Sequence, residues 1–279
     1  MVKEENTIFD LFHLNGKVAL VTGAAGLLGK RFCKVLASAG AKISAMDWNR
    51  EVLNQLDLDL KRINEPSNTL TFGGDVTNRE DIVEIVEQTL NTFGRIDILV
   101  CCAAQDPKFD AQHAQEHLHN FEDYPLDVWE KAIDVNLTGT FLSAQAVTKA
   151  MLAQGSGVMI FLSSIYGLVA PDQRLYKDEK ETQKYKPPYY SVTKSGILGL
   201  VRYLAAYYGE KNIRVNALSP GGVYNQHDES FVKSYASRTM LGRMANINDL
   251  DGALLFLASD ASQYMTGANL VVDGGWTAW

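Results

Sequence analysis

Apolar residues in this chain fall into two alternating patterns: short continuous runs, and longer stretches with a three-to-four-residue period. The runs at 17–22, 41–46, 69–72, 96–102 and 157–162 predict strands buried on both faces. A sixth strand is expected to end at Ser219-Pro220-Gly221-Gly222 and a seventh before Asp273-Gly274-Gly275. Between them, Leu28, Phe32, Val35 and Leu36, then Val52, Leu53, Leu56 and Leu60, then Ile82, Val83, Ile85, Val86 and Leu90 recur at helical spacing. One long helix is predicted from Asp127 through Trp129, Ile133, Leu137, Phe141, Leu142 and Ala146. Another follows Pro187-Pro188, with Val192, Ile197, Leu200, Val201 and Leu204 as its apolar positions. Strand and helix alternate without a break in composition. That predicts an α/β, doubly wound fold, with a central parallel seven-stranded sheet and helices on both faces. A single domain is expected over 1–279, with polar excursions at about 105–124 and 172–188.

Composition narrows the class. A chain of 279 residues, 46% of them hydrophobic, can bury a large core. With 26 basic against 33 acidic residues the net charge is −7, which speaks against a nucleic-acid surface. No apolar run approaches the roughly 18 residues of a membrane span. The charged start, Met1-Val2-Lys3-Glu4-Glu5-Asn6, is not followed by a signal-peptide core. Cys33, Cys101 and Cys102 show neither a disulfide framework nor metal spacing, and reduced buried thiols suit a cytoplasmic protein. His113, His117 and His119 crowd the first excursion. His113 and His117 are four apart, but no acidic or thiol partner has ligand spacing, so no metal site is expected.

Candidate chemistry gathers where the predicted strands end. The first strand runs into Gly23-Ala24-Ala25-Gly26-Leu27-Leu28-Gly29 and then a helix, the context in which backbone N–H groups hold a pyrophosphate. Asp47 closes the second strand, 24 residues beyond Gly23, where a carboxylate can accept from both ribose hydroxyls and repel a 2′-phosphate. This favours NAD over NADP, with the nearby Arg50 as the opposing feature; the plain alternative is an Asp capping the helix from Trp48. Asp75, Ala103, Ser164 and Ser219 to Gly222 also fall at C-terminal strand ends, the ligand side of such a sheet. In the helix after Pro188, Tyr190 and Lys194 share a face, whereas Tyr189 has Thr193 at that offset. A phenol titrates near about 10, and lowering it by two to three units takes roughly 3–4 kcal/mol. A cation about 4 Å away supplies on the order of 4 kcal/mol at an effective dielectric near 20, the size of perturbation Lys194 could provide. Asn136, among the apolar residues of its helix, is either a structural hydrogen-bonding residue or part of a site.

Taken in order, Thr22-Gly23 to Gly29, Asp75-Val76, Asp134-Val135-Asn136, Ser164, Tyr190-x-x-x-Lys194, Pro220-Gly221 and Asp273-Gly274-Gly275 resemble the short-chain dehydrogenase/reductase family, over about 17–276. The resemblance implies a Rossmann-type fold and hydride exchange between a nicotinamide cofactor and a secondary alcohol or ketone. It implies that Tyr190 exchanges the proton, Ser164 hydrogen-bonds the reacting oxygen, Lys194 lowers the Tyr190 pKa and holds the nicotinamide ribose, and Asn136 extends the proton path through water. Cofactor contacts are implied for Gly23, Gly26, Leu28, Gly29, Asp47, Trp48, Asp75, Val76, Ala103, Ala104, Tyr190, Lys194, Pro220, Gly221 and Val223. Three departures stand out: Leu27 where the family usually has glycine, Cys101-Cys102-Ala103-Ala104 for Asn-Asn-Ala-Gly, and Asn225 for a threonine near the nicotinamide amide.

Ser164 and Tyr190 are 26 residues apart, more than in most short members. With the first excursion, Asp106-Pro107-Lys108-Phe109 and Ser164-Ile165-Tyr166-Gly167, this resembles members associated with bacterial flagellin modification and surface-polysaccharide sugars. Three readings follow. The first is an NAD-dependent dehydrogenase of a secondary alcohol, on a sugar or sugar-nucleotide substrate. The second is an epimerase or dehydratase with internal hydride return, which the Gly-x-x-Gly-x-x-Gly spacing suggests and the want of a C-terminal substrate domain opposes. The third is a non-catalytic nucleotide sensor. Neither a nucleic-acid nor a membrane partner is expected. Apolar positions on a second side of two helices (Leu137, Phe141, Ala144, Val147; Leu198, Val201, Leu204, Tyr207) predict a homo-oligomer, and the family suggests a tetramer. In the second excursion, Arg174 or Lys177 is a candidate to bind an anionic substrate group.

Overall fold

The computed structural model describes residues 7–106, 118–176 and 183–279. Its seven strands, β1 (Val18–Thr22), β2 (Lys42–Asp47), β3 (Thr69–Gly73), β4 (Ile98–Cys101), β5 (Gly157–Leu162), β6 (Ile213–Pro220) and β7 (Asn269–Val272), form one sheet. The order is β3-β2-β1-β4-β5-β6-β7 and every pairing is parallel. This is the doubly wound, Rossmann-type arrangement.

Side chains alternate across each strand, so the continuous apolar runs feed two cores. Ala19, Val21, Ile43, Ala45, Ile98, Val100, Ile160 and Leu162 pack with α1 (Leu27–Ser38), α2 (Arg50–Ile63) and α8 (Asp251–Ala258). Leu20, Met46, Leu99, Cys101, Met159, Phe161, Val215 and Ala217 face α3 (Arg79–Phe93), α5 (Gly139–Gln154) and α6 (Pro188–Tyr208). A third cluster, Ile165, Tyr166, Leu175, Tyr176, Tyr235 and Met244, lies beyond the C-terminal ends of the strands. Tyr235 belongs to α7 (Glu229–Ala236). Strand order reverses between β1 and β4, and the crevice opened there is where ligands enter sheets of this type.

The long helix expected from Asp127 is interrupted. α4 (Leu126–Ile133) passes into a π-helical turn, Asp134–Thr138, before α5 begins. Gly139 N–H donates to the Asp134 carbonyl, five residues back, and the wider turn carries Asn136. Apolar spacing does not reveal one extra residue in a turn, so the sequence read as a single helix. Among the described residues, no helix is long and apolar enough to cross a membrane. His113 and His117 lie outside the described residues, and the described ones hold no cluster of His, Cys, Asp and Glu suited to a metal.

Candidate active site

Two adjoining cavities of about 380 and 670 Å³ run along the C-terminal ends of the strands and share Gly26, Cys102, Ala104 and Asp106. The glycine turn between β1 and α1 forms one side. A Cβ on Gly23 would lie 2.3 Å from the Ala103 backbone nitrogen, and one on Gly29 would lie 2.0 Å from the Gly23 carbonyl oxygen. Neither position has room for a side chain, which fixes the turn against the strand end and the helix against the turn. Gly26, the N-cap of α1, offers no capping side chain, so the first turn of a 12-residue helix faces the cavity with its N–H groups. Leu27 and Leu28 line the same wall.

Asp47 closes β2 as a buried residue. Its Oδ2 accepts from Ala25 N–H at 2.9 Å and its Oδ1 from Asn49 N–H at 2.9 Å. The cap of α2 is Asn49, whose Oδ1 accepts from Val52 N–H, so Asp47 ties β2 to the glycine turn and does not cap the helix. Each carboxylate oxygen has acceptor capacity left for a ribose hydroxyl. Trp48, 78% exposed, stands at the rim. Arg50 donates to the Gly73 carbonyl at 3.2 Å. Asp75, Val76, Ala103 and Ala104 line the larger cavity, and Pro220, Gly221, Val223 and Asn225 the smaller. All fifteen residues for which cofactor contact was implied therefore border one cleft, and its glycine turn suits a dinucleotide pyrophosphate.

At the middle of the cleft β5 ends in Ser163 and Ser164, clamped to α6. Ser163 Oγ donates to the Lys194 carbonyl at 2.7 Å, and Ser195 Oγ donates to the Gly167 carbonyl at 3.0 Å. A Cβ on Gly167 would meet Ser163 Oγ at 2.6 Å and the Lys194 carbonyl oxygen at 2.7 Å, so glycine permits this close approach. The clamp brings Ser164, whose Oγ accepts from Tyr166 N–H, close enough to the Tyr190 hydroxyl to act on its pKa. Ser164, Tyr190 and Lys194 thus line one cavity wall. Tyr189 points elsewhere, buried edge-on against Tyr124.

The electrostatics differ from the sequence expectation. Lys194 Nζ donates to the Leu162 carbonyl at 2.8 Å and lies 5.7 Å from the centre of the Tyr190 ring. Burial dominates both groups. It raises the Tyr190 hydroxyl well above its ordinary value, helped by the Asp106 carboxylate and opposed by the Ser164 hydroxyl. It lowers Lys194 to about 8, with Asp106 acting the other way. In this structure Lys194 does not bring Tyr190 towards neutrality; helical spacing gave the side-by-side placement but could not foresee the burial.

Asn136 is fully buried and borders neither cavity. Its Oδ1 accepts from Gln105 N–H at 2.6 Å, and its Nδ2 donates to the Gln105 carbonyl at 3.2 Å and to Thr193 Oγ1 at 3.3 Å. It braces the loop after β4 against α6, which makes it a positioning residue.

The second excursion folds into a wall. Lys184 N–H donates to the Tyr176 carbonyl at 2.7 Å, Tyr176 and Tyr166 hydroxyls meet at 2.7 Å, and Asp172 pairs with Arg238 at 3.0 Å. Arg174, 84% exposed, spends its guanidinium on Asp172 and does not border the cavity. Lys177 lies outside the described residues. Among the described residues of this excursion, the cation that borders the cavity is Lys186, paired with Asp106. Trp276, stacked on Tyr235 at 4.4 Å between ring centres and edge-on to Tyr166, packs against the same cluster. Ser163, Asp106, Lys186 and Trp276 were given no site role by sequence; each adjoins a motif residue or loop, but no periodic signal marks them.

A family model described as Enoyl-(Acyl carrier protein) reductase matches residues 23–277. The D-threitol dehydrogenase of Mycolicibacterium smegmatis is 34% identical over 280 residues, 99% of this chain and 98% of that one. The NAD-dependent glycerol dehydrogenase of Listeria innocua is 29% identical over 271 residues, 95% of this chain and 96% of that one. Among solved structures, a gluconate 5-dehydrogenase from Burkholderia cenocepacia in complex with NADP and tartrate has a TM-score of 0.84 at 28% identity, covering 98% of this chain and 100% of that one. A short-chain dehydrogenase from Leptospira borgpetersenii with bound NAD+ has a TM-score of 0.81 at 31% identity, covering 99% and 98%. The chain belongs to the short-chain dehydrogenase/reductase family. It is an oxidoreductase of CH–OH groups that uses a nicotinamide dinucleotide.

Proposed function

We propose that this protein, acting as one domain, interconverts a secondary hydroxyl and a ketone on a small polyol or sugar-like substrate, with NAD(H) as the preferred cofactor. The observation that carries this reading is the placement of Ser164, Tyr190 and Lys194 on one wall of the cleft bordered by the glycine turn. The similarity to polyol and sugar-acid dehydrogenases supports the substrate class.

When bound, the nicotinamide supplies the hydride acceptor or donor, and in its oxidised form a positive charge. The chain's own residues handle the oxygen and its proton. Ser164 Oγ and the Tyr190 hydroxyl converge on the substrate oxygen and hold it in place. In reduction, Tyr190, kept protonated by burial, delivers its proton as the carbonyl becomes an alkoxide. In oxidation the phenolate form of Tyr190 takes the hydroxyl proton and becomes the phenol; the buried Lys194 ammonium would lessen the cost of forming that phenolate beforehand. The first turn of α1 holds the pyrophosphate, and Asp47 accepts from the adenosine ribose hydroxyls.

NAD(H) is preferred because a carboxylate stands where a 2′-phosphate would sit. A cytoplasmic location suits the free thiols of Cys33, Cys101 and Cys102. The narrower likeness to flagellin and surface-polysaccharide enzymes would make the substrate a sugar nucleotide; smaller free polyols are favoured by the similarities above. The test is net formation of NADH or NADPH with glycerol, threitol, xylitol, sorbitol and a set of sugar nucleotides. Turnover of a polyol with a higher kcat/KM for NAD+ is expected. Interconversion of sugar epimers without net NADH would replace this reading with internal hydride return.

A further inference from the structure

A second pair of charges sits against Tyr190; its carboxylate helps raise the Tyr190 hydroxyl, but neither group is given a proton to exchange with the substrate in the chemistry above. Asp106 lies just beyond Gln105, whose backbone Asn136 holds, and it accepts a hydrogen bond from Lys186 Nζ. Lys186 is only 8% exposed, and its Nζ lies 4.0 Å over the centre of the Tyr190 ring. The backbone of Lys186 is gripped by Gln173: its N–H donates to Oε1 at 2.9 Å, and its carbonyl accepts from Nε2 at 3.2 Å. Gln173 also accepts through its carbonyl from Gln183 Nε2 at 2.8 Å, inside the wall that carries Tyr176. The pair is therefore held from both sides.

Among the described residues, the carboxylate and amine groups bordering this cavity are Asp106, Lys186 and Lys194. Lys194 is turned onto the Leu162 carbonyl, and the charge of Lys186 is answered by Asp106. An anionic substrate group would have to displace the Asp106 carboxylate, itself 38% exposed, from the buried Lys186 or lie beside that carboxylate, and like charges sharing one site repel. A hydroxyl, both donor and acceptor, can bridge ammonium and carboxylate without separating them. Building on the polyol reading proposed above, we infer that the Asp106–Lys186 pair is a specificity determinant that selects neutral polyols over carboxylate-bearing counterparts, by engaging a hydroxyl beside the reacting carbon.

The experiment compares kcat/KM for threitol, xylitol and sorbitol with that for threonate and gluconate, using NAD+ and NADP+, in the wild type, Asp106→Asn and Lys186→Gln. The ratio of neutral to anionic substrate is the readout, because damage to folding or proton transfer lowers both values and cancels. The wild-type ratio is expected to exceed tenfold. Asp106→Asn, which keeps the shape and frees Lys186, is expected to lower the ratio 10- to 100-fold. Lys186→Gln is expected to act mainly through a higher KM for the polyol. A wild type that favours the aldonates overturns the inference, as does a ratio in Asp106→Asn within twofold of the wild type while polyols are still oxidised. If the wild type binds NADH but oxidises neither set with either cofactor, the polyol reading itself falls and this inference with it.

Discussion

The chemistry turns on one hydroxyl, and the two neighbouring tyrosines make an internal comparison. Tyr190→Phe keeps the ring and removes the proton-exchanging group, so kcat should fall by roughly 10²–10⁴-fold, the range of general acid–base catalysis. Its NADH affinity, read by fluorescence titration, should stay within threefold. Retention of a tenth of wild-type kcat would take Tyr190 out of the acid–base role. Tyr189→Phe, whose ring stays packed on Tyr124, should keep kcat within threefold. Lys194 carries a pH signature. Burial lowers its pKa from 10.5 to about 8, so between those values the unfolded chain binds more protons than the folded one. Stability attributable to Lys194 must then rise with pH from about 8 towards 10.5, by up to about 1.4 kcal/mol per unit. The raised tyrosines work in the opposite sense only above their ordinary value near 10. The difference in denaturant stability between wild type and Lys194→Met, followed from pH 8 to 10 without cofactor, should show this slope; a flat difference would mean that Lys194 is not desolvated. At the far end of the cleft, Asp47→Ser should narrow the preference for NAD+ over NADP+ at least tenfold in kcat/KM, and equal wild-type values for the two would contradict the role assigned to the carboxylate. Some loss of stability should accompany it, because Asp47 also accepts from Ala25 and Asn49.

At the scale of elements, the clamp between the end of β5 and α6 sets the distance between Ser164 and Tyr190. Gly167→Ala places a methyl 2.7 Å from the Lys194 carbonyl oxygen, backbone that cannot swing aside. Overpacking of this kind costs about 1–3 kcal/mol, and kcat should fall with it. Gly252→Ala, in α8 with nothing within 4 Å, is the control and should raise stability by about 0.5–1 kcal/mol. Thermal melts and kcat on both variants check the pair; a Gly167→Ala protein that melts and turns over like the wild type would show that the clamp has slack. The same scale shows where the sequence was readable. Strands buried on both faces announce themselves as apolar runs, and a strand–glycine–helix succession localises the turn, so the sheet, the turn and the Tyr190–Lys194 face were legible. The π turn was not, since one added residue leaves the apolar spacing of α4 and α5 intact. Nor was the meeting of Asp106 with Lys186, 80 residues apart on segments without period. Arg174 was chosen there by chemistry alone, but the local Asx geometry with Asp172 captures it first.

At the scale of the whole molecule, α5 and α6 leave apolar surface that the sheet does not cover. Four of the eight positions expected to face a partner, Ala144, Val147, Leu198 and Val201, are core residues of the chain itself. The outward stripe is a different set: Val192, Ser195, Gly199, Tyr203 and Tyr207 follow one another at three-to-four-residue spacing on α6, all exposed. Tyr203 and Tyr207, each 64% exposed, stack at 6.0 Å, and Phe141 on α5 is 45% exposed. Two stacked tyrosines beside a small residue such as Gly199, which has nothing within 4 Å, make a surface on which a second helix could approach closely. A second copy of the chain is the partner that the family resemblance suggests, with closed symmetry completing a tetramer. Light scattering at micromolar concentration should therefore give close to four times 30.8 kDa. Tyr203→Glu with Tyr207→Glu should reduce the mass to that of a dimer or monomer, because like charges facing across a symmetric contact repel and the aromatic area is lost. The wild-type mass should also change little with salt, since an interface of aromatic faces without charged pairs carries little Coulomb energy to screen. A monomeric wild type, or a double variant with unchanged mass, would show that this face is simply exposed to water.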